Sequence, residues 1–150
     1  MNLGQPTDRK PPFKYSALTR VGFSDTDAQG IVYYGRYMPY FDRARVEYQR
    51  HLDLLERDHS GPQFVMRAQH VEYHAPARFD DELEVFVRVL RIGTTSMVWQ
   101  FEAVNVATSE HLATAQQTLV QVDLASRRPV PVSGRLRSAI RGFDQEVETA

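Results

Sequence analysis

The chain has 150 residues, of which 42% are hydrophobic and 25% charged, as expected for one globular domain that buries a core. Its net charge of -1, without a block of Lys or Arg, argues against an electrostatic nucleic-acid binder. The sequence contains no cysteine, which excludes disulfides, thiolate metal sites and a cysteine nucleophile and fits a cytoplasmic protein. No segment approaches the roughly 18 consecutive apolar residues that a membrane span needs.

Three regions follow from composition. Residues 1–12 are polar and proline-bearing, so we expect a disordered arm; they lack the apolar core of a signal peptide. Residues 13–143 are expected to form the globular domain, and residues 144–150 a flexible tail. Within the domain, residues 13–23 predict a first strand, and residues 24–33 predict a polar loop.

An amphipathic helix is predicted directly after this loop. Apolar residues recur there at spacings of three and four, at Tyr37, Tyr40, Phe41, Ala44, Tyr48, Leu52 and Leu55. This periodicity predicts a helix over residues 37–55, about 19 residues or roughly 28 Å long. Pro39 fits the first turn, where its missing N–H is harmless.

After the helix, apolar residues recur at every second position. Four strands are predicted, over residues 64–73, 83–90, 94–107 and 111–124, and the last three are joined by short turns. Residues 133–143 predict a short terminal helix. One long helix followed by antiparallel strands indicates an α+β fold with a five-stranded sheet. Because one helix covers only part of a sheet, we expect a homodimer whose sheets join or pack.

Two carboxylates, Asp25 and Asp27, lie two residues apart just before the helix. On that spacing alone, a pair that caps a turn is the more common interpretation; a Mg²⁺ site is another, for which two carboxylates alone are weak evidence. Asp25 is expected to order the loop by accepting backbone N–H groups. His70, Glu72 and His74 share one strand face, but without an obvious fourth ligand they favour a polar strand edge over a metal site.

The order of elements and several motifs resemble the hotdog-fold family of 4-hydroxybenzoyl-CoA thioesterase-like acyl-CoA thioesterases. The resemblance is carried by residues 23–37 (FSDTDAQGIVYYGRY), 41–47 (FDRARVE), 71–77 (VEYHAPA) and 93–96 (GTTS). It implies a long central helix wrapped by a curved antiparallel sheet, and a dimer, often paired into a tetramer. It also implies an active site at the subunit interface and no metal or redox cofactor.

The resemblance assigns catalytic roles to two residues. Asp27 matches the family's catalytic carboxylate, as nucleophile or as general base, and the backbone N–H of Tyr34 matches the donor that polarises the thioester carbonyl. A free N–H at a helix start is suited to developing negative charge and is worth about 3 kcal/mol in the transition state. Many relatives carry histidine at the position of Tyr34, so an imidazole role is not available here.

Several residues are expected to bind the substrate. Gly30, Ile31, Val32 and Tyr33 are expected beside the acyl group. For Ser96 two interpretations are equal: it orients the thioester or the attacking water, or it is a plain strand hydroxyl. The chain lacks the basic cluster with which some relatives bind the phosphates of coenzyme A. Arg91, Arg127 and Arg128 are therefore our candidates for that contact.

The predicted function is hydrolysis of an acyl-CoA to the free acid and coenzyme A. Two alternatives remain, a thioesterase for acyl groups on carrier protein and a non-catalytic module that binds acyl-CoA. A hotdog dehydratase is disfavoured, because those enzymes use a histidine and none stands in the loop or early helix.

Overall fold

A computed structural model describes residues 3–58, 61–144 and 148–149. Helix α1 (Tyr37–His51) packs on one face of an antiparallel sheet, which confirms the predicted α+β class. The remaining elements are β1 (Gly4–Lys10), β2 (Phe13–Arg20), β3 (Gln63–Tyr73), β4 (Glu82–Ile92), β5 (Ser96–Asn105), β6 (His111–Asp123), β7 (Arg128–Pro129), α2 (Gly134–Phe143) and β8 (Glu148–Thr149). Within the described residues, no helix combines the length and apolarity that crossing a membrane requires.

The sheet has the strand order β1-β2-β4-β5-β6-β3, and all these neighbours are antiparallel. The short strand β7 pairs with β6, and β8 pairs with β4 in parallel. The chain therefore leaves the sheet after β2, forms α1 across its face, and returns at the far edge as β3. Six strands form the main sheet instead of the predicted five.

The additional strand is β1, so the expectation of a disordered arm is wrong for residues 4–10. β1 pairs with β2 from Gly4 opposite Ala17 onward, and a side chain at Gly4 would collide with the ring of Tyr15. The guanidinium of Arg9 forms an ion pair with Glu84 and lies 5.7 Å from the ring centroid of Phe86. These long-range contacts stabilise a strand that is too polar to be predicted from its own composition.

Helix α1 is shorter than predicted because the backbone turns after His51. Asp53 adopts a positive φ of 58°, a conformation that ends a helix, and Leu54 N–H donates to the carbonyl of Gln49 at 2.8 Å. The predicted helix over residues 37–55 is therefore wrong for its last four residues. The helix buries one stripe of side chains against the sheet: Tyr37, Tyr40, Phe41, Ala44 and Tyr48.

The prediction of a flexible tail over residues 144–150 is wrong for both of the parts that the structure describes. Asp144 is only 4% exposed, and its Oδ2 accepts hydrogen bonds from the hydroxyl of Tyr48 at 2.5 Å and from Val89 N–H at 3.1 Å. Glu148–Thr149 adds strand β8 beside Arg91 and Ile92. Residues 145–147 and 150 lie outside the described residues. The chain thus continues to contact the core beyond α2.

Candidate functional site

The loop before α1 is a tight turn centred on Asp27. Asp27 N–H donates to the carbonyl of Ile31, and Gly30 N–H donates to the carbonyl of Asp27, both at 2.9 Å. Gly30 has a φ of 78°, which favours glycine, and a Cβ there would meet nothing within 4 Å. The requirement for glycine is therefore conformational.

The two aspartates of the loop have different surroundings. The carboxylate of Asp25 accepts from Gly22 N–H at 2.9 Å and from the hydroxyl of Tyr40 at 2.7 Å, which confirms its expected role in ordering the loop. The half-buried Asp27 accepts from Gln29 N–H through Oδ1 at 2.8 Å. That bond orients the Asp27 carboxylate, and Oδ2 has no hydrogen-bond partner among the residues that the structure describes.

A helical start follows the loop at once. Tyr33 N–H donates to the carbonyl of Asp25 at 2.9 Å, and a 3₁₀ turn over Tyr34–Arg36 leads directly into α1. The first hydrogen bond of this turn runs from Arg36 N–H to the carbonyl of Tyr33 at 2.8 Å. The N–H groups of Tyr34 and Gly35 therefore precede the intrahelical bonds, at the end of the helix that carries partial positive charge.

Asp27 and the helical start border one cleft of about 380 Å³. The loop and helix supply one wall, and the end of β3 with the segment after it supplies the other. The lining residues are Asp27, Gln29, Ile31, Val32, Tyr34, Tyr37, Tyr73, His74, Ala75 and Pro76. The structure thus brings together four of the predicted site residues, Asp27, Ile31, Val32 and Tyr34.

Three of the lining residues are tyrosines, Tyr34, Tyr37 and Tyr73, and Tyr33 stacks on the first of them. The rings of Tyr33 and Tyr34 lie 4.2 Å apart between centroids, and both side chains are largely exposed. The hydroxyl of Tyr73 donates to the carbonyl of Tyr34 at 3.0 Å, and its ring meets that of Tyr37 at 5.5 Å. Burial, followed by the nearby Tyr73 and Asp81, raises the pKa of Tyr37 to about 12, so its hydroxyl stays protonated at neutral pH.

Tyr73 was missed as a site residue. Its alternation with Val71 predicts one shared face of a strand, but only the antiparallel pairing of β3 with β6 brings that strand end to the helix start. The signal in the sequence is the motif at residues 71–77, in which a tyrosine precedes the segment that lines the cleft.

Four predicted substrate contacts lie at the other end of the sheet. On β5, Ser96 is seven residues from Ala103, which pairs with Ala113 beside Tyr73, a separation of about 23 Å. Arg91, Arg127 and Arg128 lie near Ser96, at the ends of β4 and β6. Within one protomer these four residues are therefore far from Asp27, and their contact with the substrate stays a prediction that requires a partner protomer.

His70 on β3 and His74 directly after it have local partners. His70 Nε2 lies 3.2 Å from Glu72 Oε1, and His74 Nε2 lies 3.2 Å from Thr114 Oγ1. In the part of the chain that the structure describes, no group of three or more His, Asp or Glu side chains is placed to hold a metal ion.

Comparison with known proteins identifies the fold and the family. Residues 21–140 match the family model described as the thioesterase-like superfamily. The chain belongs to this superfamily. The thioesterase is 38% identical to the acyl-CoA thioester hydrolase YbgC of Escherichia coli O6:H1 over 112 residues, 73% of this chain and 83% of the relative.

Solved structures agree with the hotdog fold of this thioesterase. A thioesterase-superfamily protein from Jannaschia sp. CCS1 superposes with a TM-score of 0.87 over 98% of this chain and 96% of its own, at 19% identity. A thioesterase from Thermus thermophilus, solved in complex with coenzyme A and Zn, gives a TM-score of 0.71 at 28% identity, covering 85% of this chain and 94% of its own. The fold of the chain is therefore the hotdog fold, and the enzyme is a thioester hydrolase.

Proposed function

We propose that this thioesterase hydrolyses acyl-CoA, with Asp27 as nucleophile or general base and the N–H of Tyr34 as the oxyanion donor. The observation that carries the proposal is that both groups border the same cleft. Hydrolysis needs a group that attacks or activates water and a donor for the charge on the carbonyl oxygen. The cleft offers one of each.

Asp27 is suited to this role by its hydrogen bonding. Gln29 N–H holds Oδ1, which fixes the orientation of the carboxylate, while Oδ2 is left for a water or for the thioester carbon. Direct attack gives an enzyme-bound anhydride and releases the thiolate, and water then hydrolyses the anhydride. Activation of water gives the acid in one step. The thiolate is a good leaving group in either route.

The helical start supports the oxyanion role of Tyr34. Its N–H precedes the first hydrogen bond of the turn, and the carbonyl of the same residue is held by the hydroxyl of Tyr73. That bond orients the peptide plane between Tyr34 and Gly35, and so defines the direction of the chain at the helix start. An N–H held in place needs no reorganisation during the reaction.

The substrate class rests on the relatives. The Escherichia coli relative carries the name acyl-CoA thioester hydrolase, and the Thermus thermophilus structure contains coenzyme A. Tyr34 and Tyr73 line the cleft and are partly exposed, so they provide apolar surface for an acyl group.

Substitution of Asp27 by Asn tests the proposal. We expect kcat on a panel of short, long and aromatic acyl-CoAs to fall by about 10²–10⁴-fold, because the amide neither attacks nor takes a proton. Thiol release measures the rate, and the thermal midpoint checks the fold. The matched control is Asp53→Asn, the same change at an exposed position beyond the far end of α1 whose positive φ asparagine tolerates.

Three outcomes of this experiment differ in meaning. Retained hydrolysis in the folded Asp27→Asn protein would contradict the role of Asp27. Tight binding of acyl-CoA by the wild-type protein without turnover would favour the non-catalytic module. Loss of activity in Asp27→Asn alone, with Asp53→Asn unaffected, supports the proposal.

We also propose that the active unit is a dimer formed along β3. This strand is an edge of the sheet within the described residues, it is 11 residues long, and most of its side chains are exposed. Long open edges invite pairing with another strand. A twofold axis through the middle of β3 brings the Ser96 end of one protomer toward the cleft of its partner. Sedimentation analysis tests the dimer; the tetramer and the cytoplasmic location stay predictions.

A carrier-protein substrate is the second candidate. Arg36 follows the helical start by two residues, and the backbone of Arg78 pairs with Ile31 of the cleft; both arginines are exposed. These cations suit an acidic carrier protein as well as the phosphates of coenzyme A. Comparing kcat/KM for the same acyl group on coenzyme A and on carrier protein distinguishes the two candidates. Arg36→Gln and Arg78→Gln should lower kcat/KM only for the preferred carrier.

A further inference from the structure

The cleft has an exposed rim and a buried floor, and Tyr37 belongs to the floor. Tyr34 and Tyr73 line the same cleft with 61% and 47% of their surface exposed, whereas Tyr37 is only 2% exposed. The ring of Tyr37 packs against the rings of Tyr73 at 5.5 Å and Phe41 at 6.2 Å between centroids. Packing therefore fixes the Tyr37 side chain, which reaches the cleft through only a small part of its surface.

The hydroxyl of Tyr37 is not paired within the fold. The other two tyrosines of α1, Tyr40 and Tyr48, donate to aspartate carboxylates at 2.7 and 2.5 Å, but Tyr37 has no such partner among the described residues. Its hydroxyl is not enclosed either, because the enclosed unpaired side-chain oxygens in that part of the chain are those of Glu102 and Gln121. The open space beside Tyr37 is the cleft, so a buried side chain directs a free donor into it.

This donor lies close to the start of the helix. Tyr37 follows Tyr34 by three residues, about 6 Å along a 3₁₀ turn, and helical side chains lean toward the N-terminus. Tyr73 contacts both residues, since its hydroxyl donates to the carbonyl of Tyr34 while its ring packs on that of Tyr37. A thioester bound at the N–H of Tyr34 therefore has the first carbons of its acyl group nearest to the Tyr37 hydroxyl.

The surroundings of this hydroxyl favour an uncharged oxygen as its partner. Burial raises the pKa of Tyr37 to about 12, so the group is a neutral donor at neutral pH. The apolar residues that line the same cleft are Ile31, Val32, Ala75 and Pro76. A hydrocarbon chain placed there displaces water and leaves the donor unpaired, whereas an acyl group that carries an oxygen satisfies it.

We propose that the hydroxyl of Tyr37 binds an oxygen on the second or third carbon of the acyl group. This inference rests on the proposed function and names its substrate class: acyl thioesters with a hydroxyl or carbonyl oxygen close to the thioester. Coenzyme A leaves the cleft over the exposed rim, because its nucleotide is charged and bulky, so the acyl group is the part that faces the floor. Tyr37 is then a specificity residue.

Three matched substrates test the assignment: butyryl-CoA, 2-hydroxybutyryl-CoA and 3-hydroxybutyryl-CoA. The preference is kcat/KM for a hydroxylated substrate divided by kcat/KM for butyryl-CoA. Tyr37→Phe keeps the ring and removes the donor, so the preference for at least one hydroxylated substrate should fall by roughly three- to tenfold, the range of one hydrogen bond. Comparing the variant with the wild-type protein cancels the intrinsic reactivity of each thioester.

Tyr48→Phe is the matched control. It makes the same change on the same helix at an equally buried position, but its hydroxyl is bound at the other end of α1. Its preference should equal that of the wild-type protein. The thermal midpoint adds a second readout: Tyr37→Phe should stay near the wild-type value, because it removes no bond within the fold, whereas Tyr48→Phe should fall.

Three results would overturn the inference. The first is an unchanged preference for both hydroxylated substrates in folded Tyr37→Phe. The second is an equal fall on all three substrates, which would place the hydroxyl at the thioester instead of the acyl group. The third is a drop in thermal midpoint as large as that of Tyr48→Phe, which would show that the hydroxyl is paired in the fold.

The proposed function and this inference fail in different ways. If the wild-type protein hydrolyses acyl-CoAs but Tyr37→Phe leaves the preference unchanged, acyl-CoA hydrolysis stands and the role of Tyr37 is wrong. If the wild-type protein hydrolyses no acyl-CoA faster than Asp27→Asn does, both fall together.

Discussion

Two tyrosine–aspartate pairs, eight residues apart on α1, hold the two ends of the molecule. At the cleft, the hydroxyl of Tyr40 donates to Asp25 at 2.7 Å; at the other end, that of Tyr48 donates to Asp144 at 2.5 Å. Both tyrosines are 1% exposed. Burial is the largest cause that raises the pKa of each, so both hydroxyls remain donors at neutral pH.

The two pairs differ in what the aspartate holds in place. Asp25 belongs to the loop that carries Asp27, and its other contact is a loop N–H. Asp144 is almost fully buried and also accepts from Val89 N–H in the sheet, so it joins the end of α2 to the core. The same chemical pair therefore positions a site at one end and stabilises the fold at the other.

The largest expected effect is on the buried pair. Asp144→Ala leaves the Tyr48 hydroxyl and Val89 N–H without their acceptor, and two unpaired buried donors should lower the free energy of unfolding by about 3 kcal/mol. Urea unfolding measures the loss. The kcat of the folded fraction should stay within about twofold, since the cleft lies at the other end of α1. A small change in stability with a large change in kcat would show that Asp144 positions the site and does not stabilise the fold.

A matched pair of substitutions compares the two tyrosine–aspartate pairs directly. Tyr40→Phe and Tyr48→Phe each remove one hydroxyl, and both should destabilise the protein by about 1–2 kcal/mol. If Asp27 acts as proposed, only Tyr40→Phe should also lower kcat, by roughly tenfold, because small displacements of a catalytic group reduce the rate strongly. Equal kcat values in the two folded variants would show that the Tyr40–Asp25 bond does not position the loop.

Local patterns predicted much of this architecture. Alternation located β2 to β6 with small errors at their ends, and the three- and four-residue spacing located α1, because these periods follow from backbone geometry and burial. The terminal helix was predicted over residues 133–143, one residue from the observed Gly134–Phe143. The two-residue spacing of Asp25 and Asp27 identifies them as a pair in the sequence itself.

Long-range partners account for the rest. The strand β1 depends on the contact of Arg9 with Glu84, 75 residues away, and its composition gives no sign of that contact. Ser96 was assigned to the site, yet the strand register puts it at the opposite end of the sheet. The Gln69–Gln117 and Tyr48–Asp144 hydrogen bonds likewise join elements far apart in sequence, so neither follows from periodicity.

The pH dependence of stability provides a third test of the buried end. Burial raises the pKa of Asp144 above 3.8, although Tyr48, Val89 N–H and the charges of Arg88 and Lys14 oppose the shift. The folded state then binds the proton more tightly than the unfolded state, so the favourable contribution is present at low pH and lost as pH rises from about 4 through the raised pKa. The stability difference between wild type and Asp144→Asn should fall over that range. A constant difference would show that folding leaves the pKa of Asp144 unchanged.

The smallest expected effect concerns the start of α2, which leads the chain toward Asp144. The Oγ of Ser133 accepts from Leu136 N–H at 3.3 Å, a side-chain cap of the helix. Because this bond is long and exposed, Ser133→Ala should lower the free energy of unfolding by only about 0.5–1 kcal/mol, and Ser133→Asp, which keeps an acceptor, should restore it. Neither change should alter kcat. A loss as large as that of Asp144→Ala would mean that the cap, and not the buried carboxyl, holds α2 on the core.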